Sequence, residues 1–252
     1  MSTFLQMRRK AFASVFFAII FHFSGISATG GPDLYGYIWK DSFEPLGPVY
    51  NWIDIIPPGT LVSGLVDDNS VGMIQMGFSF HYYWLDFNAV SIGSNGWISF
   101  NNLGNIAHCF PSIPLPSGVA DNYVAPFMSD LMFANAGNPG RVYYWSNNVD
   151  TFIVSYINAP WWSANPPNWL GSNTFQVIFA KQDSSITFQY SSMDQVNFLN
   201  GFCAQDAVIG IENATGTIGL QHSNDVIPVN NYAVKFYYPT NTTYQIQDPG
   251  AH

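Results

Sequence analysis

Residues 90–100 read VSIGSNGWISF. Apolar side chains alternate into Asn95-Gly96 and out again through Trp97, Ile98 and Phe100. A half-buried strand has a two-residue period. Asn-Gly between two such runs predicts a hairpin closed by a two-residue type I′ turn, because both residues tolerate the positive φ that turn requires.

The same grammar runs outward in both directions. Upstream, residues 71–83 alternate so that Val71, Met73, Met76, Phe78 and Phe80 can share a face, with Gly77 marking a bulge. Further upstream, short strands are expected at 50–55 and 60–66, separated by Pro57-Pro58-Gly59. Downstream, 123–128 reads as a buried strand. Val142 and Tyr144 face Phe152, Val154 and Tyr156 across a polar turn, and Phe175, Val177 and Phe179 face Ile186, Phe188 and Tyr190 across another. Residues 208–211, 218–221 and 232–238 close the series. Short strands at this spacing, with no sustained 3.6-residue period, predict an all-β antiparallel two-sheet β-sandwich of jelly-roll type.

Aromatics make up 17% of the 252 residues and charged residues only 9%, a composition opposed to disorder. Residues 1–28 read as an export signal: Arg8, Arg9 and Lys10 precede an apolar run over 11–23, with Ile26-Ser27-Ala28 as the cleavage site. That run is shorter than a membrane span needs, so cleavage leaves no spanning segment. The expected organisation is a signal at 1–28, one sandwich at 29–240 and a polar tail at 241–252. Beyond the signal, Lys40, Arg141, Lys181 and Lys235 stand against sixteen acids, a net charge of −12 with His neutral. Such a surface repels phosphate backbones and argues against a nucleic-acid partner. Cys109 and Cys203, in an exported chain, are expected to bridge, closing a loop of about ninety residues worth about 2–4 kcal/mol.

Several segments together resemble a known module. They are Gly31-Pro32-Asp33 with Tyr35-Gly36-Tyr37 and Trp39, Asp41-Ser42 with Glu44-Pro45, residues 51–55 (NWIDI), residues 94–100 (SNGWISF), Ala125-Pro126-Phe127, residues 173–178 (NTFQVI) and residues 210–216 (GIENATG). The set resembles a β-sandwich module of secreted, cell-surface proteins of Bacteroidetes and related bacteria. The SNGWISF, APF and NTFQV pieces also resemble the NIDO module of animal matrix proteins. Both resemblances imply a non-enzymatic extracellular sandwich used in adhesion or assembly, with an extracellular protein or glycan as partner, or self-association.

Catalysis finds little support. No HExxH or GxSxG occurs, so no catalytic residue is assigned, and Glu212 reads as a structural acceptor beside a strand end. An unrecognised hydrolase stands as the third reading. The second is a lectin-like domain. Trp161, Trp162 and Trp169 would stack on sugar rings from an exposed loop while Asn165 and Asn168 bind hydroxyls, although large aromatics more often complete a core. Calcium is the one cofactor suggested. Asp67 and Asp68, and separately Asp41 and Glu44, offer loop carboxylates of the kind calcium takes, as solvated turns also do.

Overall fold

The computed structural model describes residues 28–101, 114–198 and 206–239. Cys109 and Cys203 lie outside them, as do residues 1–27 and the segment 241–252. Among the described residues the strands in chain order are β1 (Thr29–Gly30), β2 (Ile38–Asp41), β3 (Thr60–Leu61), β4 (Ser70–Tyr82), β5 (Leu85–Gly93), β6 (Ile98–Ser99) and β7 (Tyr123–Met128). They continue as β8 (Arg141–Ser146), β9 (Thr151–Trp162), β10 (Trp169–Ala180), β11 (Ser185–Ser192), β12 (Val208–Glu212), β13 (Gly219–Asn224) and β14 (Tyr232–Tyr237), with one helical turn, α1 (Gln195–Phe198), after β11. The expected all-β sandwich forms. One sheet has the order β1-β2-β14-β11-β10-β9-β8-β3 and the other β13-β12-β7-β6-β5-β4, and every pairing is antiparallel.

The core lies between the sheets, as the two-residue alternation dictates. Phe175, Val177 and Phe179 on β10, with Phe152, Val154 and Tyr156 on β9, point inward and are fully buried. Phe80, Val90, Ile92 and Phe127 meet them from the other sheet. Tyr156 stacks on Phe175 at 4.6 Å and Phe80 meets Phe179 edge-on at 5.3 Å. Truncating one such ring costs about 3–5 kcal/mol. On β4 the inward set is Met76, Phe78 and Phe80, while Met73 is exposed. The ladder to β5 slips between Gln75 and Phe80, around the expected bulge at Gly77.

Two local readings need correction. The β5–β6 hairpin forms, but Ile92 pairs with Ile98 and the Gly93 amide donates to the Trp97 carbonyl at 2.9 Å. The loop is therefore three residues, 94–96. Of its Asn-Gly pair only Gly96 takes a positive φ, +72°, as in a turn closed by a left-handed residue. The Gly96 Cα packs so closely on the Phe127 carbonyl that a Cβ would overlap it. Asn95 escapes the left-handed region because its side chain is engaged elsewhere.

The strand expected at 50–55 is the second correction. Residues 42–59 form no ladder. They run as a strap from β2 at one side of the eight-stranded sheet to β3 at the other. Two buried glutamines on the face opposite the core hold it. The Gln189 side chain accepts from the Asn51 amide at 2.6 Å and donates to the Asn51 carbonyl at 2.7 Å. Gln176 treats Ile53 the same way, at 3.3 and 2.8 Å. Gln176 and Gln189 are cross-strand partners, so two side-chain amides supply what a neighbouring strand's backbone supplies elsewhere. The strand at 60–66 likewise shrinks to the two residues of β3.

Candidate functional site

One end of the six-stranded sheet gathers carboxylates. Residues 64–69 are folded by Asn69, whose side chain accepts from the Val66 amide at 2.9 Å and donates to the Gly64 carbonyl at 2.8 Å. Its backbone is tied to Ser94 in the hairpin loop. Asn95, fully buried, joins three segments. Its Nδ2 donates to Asp68 Oδ1 at 2.9 Å, its Oδ1 accepts from the Leu131 amide at 3.0 Å, and its carbonyl accepts from the Ser129 amide at 3.2 Å. This clamp brings Asp130, just past the end of β7, to the Asp67-Asp68 turn. Carboxylate oxygens of Asp67, Asp68 and Asp130 lie within 4.8 Å of one another.

The electrostatics follow from burial. Asp130 is pushed up to about 7, first by desolvation and then by the charges of Asp68, Asp67 and Asp206. Asp67 is raised by burial and by Asp68. Asp67 Oδ1 is inaccessible to solvent and has no hydrogen-bond partner. Such a group either shares a proton or takes a cation, since like carboxylates at this range resist joint ionisation. Loop carboxylates are also the donors a hard divalent cation prefers.

The expected metal residues therefore divide. Asp67 and Asp68 are in the cluster; Asp41 and Glu44 are not. Asp41 is buried at the end of β2, where its carboxylate accepts from the Tyr232 hydroxyl at 2.7 Å and the Phe43 amide at 2.7 Å. Sequence reading missed Asp130 as a partner of Asp68, 62 residues away, although an acid two residues past a fully buried strand is a visible signal.

The tryptophan-rich stretch is not the loop expected, and its first indole takes the core place that large aromatics more often take. β9 and β10 extend into it, Trp162 pairs with Trp169 and Trp161 with Leu170, and only residues 163–168 turn. Trp161 is 4% exposed and belongs to the core. Its Nε1 donates to Ser129 Oγ at 3.1 Å, and its ring packs on Phe127 and Phe198. Gly171, at φ +77°, leaves room for that ring, which a Cβ would meet at 2.7 Å. Trp162 and Trp169 are half-buried. Asn165 and Asn168 build the turn: the Asn168 amide donates to the Asn165 carbonyl at 2.8 Å, and Asn168 Nδ2 to the Ser163 carbonyl at 3.3 Å.

At the opposite end, Glu212 is fully buried and accepts from both the amide and the hydroxyl of Ser117. Desolvation raises it to about 7. Asn213, the first residue of an Asn-x-Thr sequon, is 5% exposed, and its Oδ1 accepts from the Thr217 and Ile218 amides at 3.1 Å. That makes it turn chemistry. A hydroxyl–imidazole–carboxylate line also exists: His81 bonds Asp86 at 2.8 Å and Tyr35 at 3.1 Å. Burial pushes the Tyr35 hydroxyl up to about 12, so at neutral pH it stays protonated and makes a poor nucleophile.

A family model described as NIDO related matches residues 48–246. The chain belongs to the NIDO-related family. The match takes in the strap from Pro48 on and every strand from β3 on, including the whole Asp67–Asp68–Asp130 cluster. Mouse alpha-tectorin is 24% identical, over 63% of this chain and 8% of its own length. Human alpha-tectorin is 25% identical over the same shares. This NIDO-related chain thus spans a small part of the curated relatives it matches. No solved structure matches it significantly.

Proposed function

We propose that this NIDO-related chain is a secreted module that works outside the cell by recognition or assembly, not by catalysis. The observation that carries the reading is the family match across almost the whole sandwich. The basic-apolar leader at 1–28 and the acidic, aromatic-rich composition agree with it. The bacterial cell-surface setting that the segments over residues 31–222 resemble belongs to the same proposal, as does a Cys109–Cys203 bridge. The test is fractionation of the natural host followed by N-terminal analysis of the recovered protein. The expected result is extracellular chain beginning near Thr29. Chain kept inside the cell with residues 1–28 intact contradicts the reading.

A second element of the reading is calcium at Asp67, Asp68 and Asp130. The buried, unpartnered Asp67 Oδ1 among three converging carboxylates favours it. A bound cation would tie the 64–69 turn to the end of β7 and fix the shape of that end of the sandwich. The half-buried Trp162–Trp169 pair, with Asn165 and Asn168 in its turn, lies beside this end and is the remaining place for the sugar-stacking alternative.

A further inference from the structure

Two of the four cations that follow residue 28 sit side by side. Lys40 on β2 and Lys235 on β14 are directly opposed in the ladder, so both side chains leave the same face of the sheet. Like charges in that relation destabilise a sheet. Lys235 Nζ holds Asp183 Oδ2 at 2.8 Å and lies 5.9 Å from the centre of the Tyr237 ring. Lys40 makes no ion pair among the described residues. The two lysines line a cleft of about 320 Å³, walled by Leu46, Gly47 and Pro48 of the strap and by Tyr237. With Asp183 counted, the cleft is a site of net charge +1 on a chain of net charge −12 beyond residue 28.

We propose that this cleft binds a carboxylate-bearing sugar, a uronic acid unit of an acidic glycan. A single carboxylate placed between Lys40 and Lys235 relieves their repulsion and gains charge-assisted hydrogen bonds. The flat, apolar surfaces of Tyr237 and Pro48 suit the faces of a pyranose ring, as aromatic and apolar side chains with a few placed polar groups do in small-ligand sites generally. A cleft at the low end of ligand-site volumes suits one ring. An extended peptide is disfavoured, because β2 is flanked by β1 and β14, and β14 by β2 and β11. Their backbone groups are already paired, leaving no edge for strand addition. Lys40 precedes the family match at 48–246 and Lys235 lies within it, so the cleft joins the family's sandwich to this chain's own N-terminal strands.

The inference gives a ligand class to the recognition role proposed above and rests on it. The two fail separately, because binding by purified protein does not depend on where a cell sends it. The experiment is titration of the purified chain with glucuronate and a short oligogalacturonate, with glucose and a tetra-aspartate peptide as controls, read by calorimetry or NMR shifts. The expected result is binding of the uronates and of neither control. Lys40→Gln and Lys235→Gln each weaken it about tenfold, the worth of one charged hydrogen bond. Asp183→Asn strengthens it, by removing the competing carboxylate, and Lys181→Gln, outside the cleft, leaves it unchanged. Lys40→Gln should melt no lower than wild type, so its lost binding is not lost folding. Absence of uronate binding, equal binding of the acidic peptide, or an equal effect of Lys181→Gln would overturn the proposal.

Discussion

The molecule carries two like-charge clusters, and they solve the same problem oppositely. Asp67, Asp68 and Asp130 meet at the buried end of the six-stranded sheet; Lys40 and Lys235 meet on the open face of the eight-stranded one. Around the acids, desolvation raises Asp130 to about 7 and a carboxylate oxygen is sealed from both solvent and protein. The lysines keep their heads near water and one of them holds Asp183. Burial turns repulsion into a demand for a proton or a cation inside the fold. Exposure turns it into a modest, tolerable cost that a ligand from outside can relieve.

The largest expected effect sharpens the acidic side. Asn95→Ala removes the side chain that joins Asp68 to Leu131 and leaves the buried Leu131 amide and the half-buried Asp68 carboxylate without it, a loss of about 2–4 kcal/mol in denaturant unfolding. A loss below 1 kcal/mol would show that the acids are gathered by something other than Asn95.

The next effect is a pH dependence at the far end, and its sign follows from burial. Glu212 is raised to about 7 in the fold from an ordinary 4.5, so the folded chain binds this proton more tightly than the unfolded one. Its contribution is full below about pH 4.5 and is lost as pH rises through 7, by on the order of 3 kcal/mol. His222 runs the other way. Desolvation outweighs the nearby Asp41 and holds it down to about 4, so its contribution is present above pH 6.5 and lost as pH falls toward 4. Melting temperature should therefore peak in the mildly acidic range, and Glu212→Gln should make the alkaline limb shallower, leaving the share of Asp130, which is also raised to about 7, while the acid limb stays as it is. An unchanged alkaline slope in Glu212→Gln would place the titration in other groups.

The smallest effect belongs to the lysine side. Lys40→Gln should raise stability slightly, by about 0.2–1 kcal/mol, since it removes a directly opposed like charge. A drop in stability would mean that Lys40 has a structural partner and that the cleft is not held in tension.

Alternation and turn chemistry made the strands legible in the sequence, because an inward Phe175 and an outward Gln176 differ in kind. What Gln176 does was not legible. It and Gln189 imitate a strand for the strap, and the partner of a side-chain amide leaves no periodic trace. The Asn95-Gly96 turn was read as a turn but with the wrong length, since Asn95 is held by Asp68 and Leu131, contacts far away in sequence. Asp67 and Asp68 announced themselves as an acidic pair. Asp130 did not, because only folding brings the end of β7 to their turn. Trp161 completes the core, the commoner role of a large aromatic, but the strands that carry it were read as a loop, because a run of tryptophans looks alike whether it lines a surface or extends two core strands.

The most direct measurement of the account is the melting temperature of the chain in calcium and in chelator, for wild type and for Asp130→Asn. At calcium one hundred times its dissociation constant the wild type should gain about 2.7 kcal/mol, a shift of several degrees, and the variant should gain almost nothing. Identical melting in both solutions, with the wild type folded, would contradict a cation at Asp67, Asp68 and Asp130 and leave a shared proton to hold that end together.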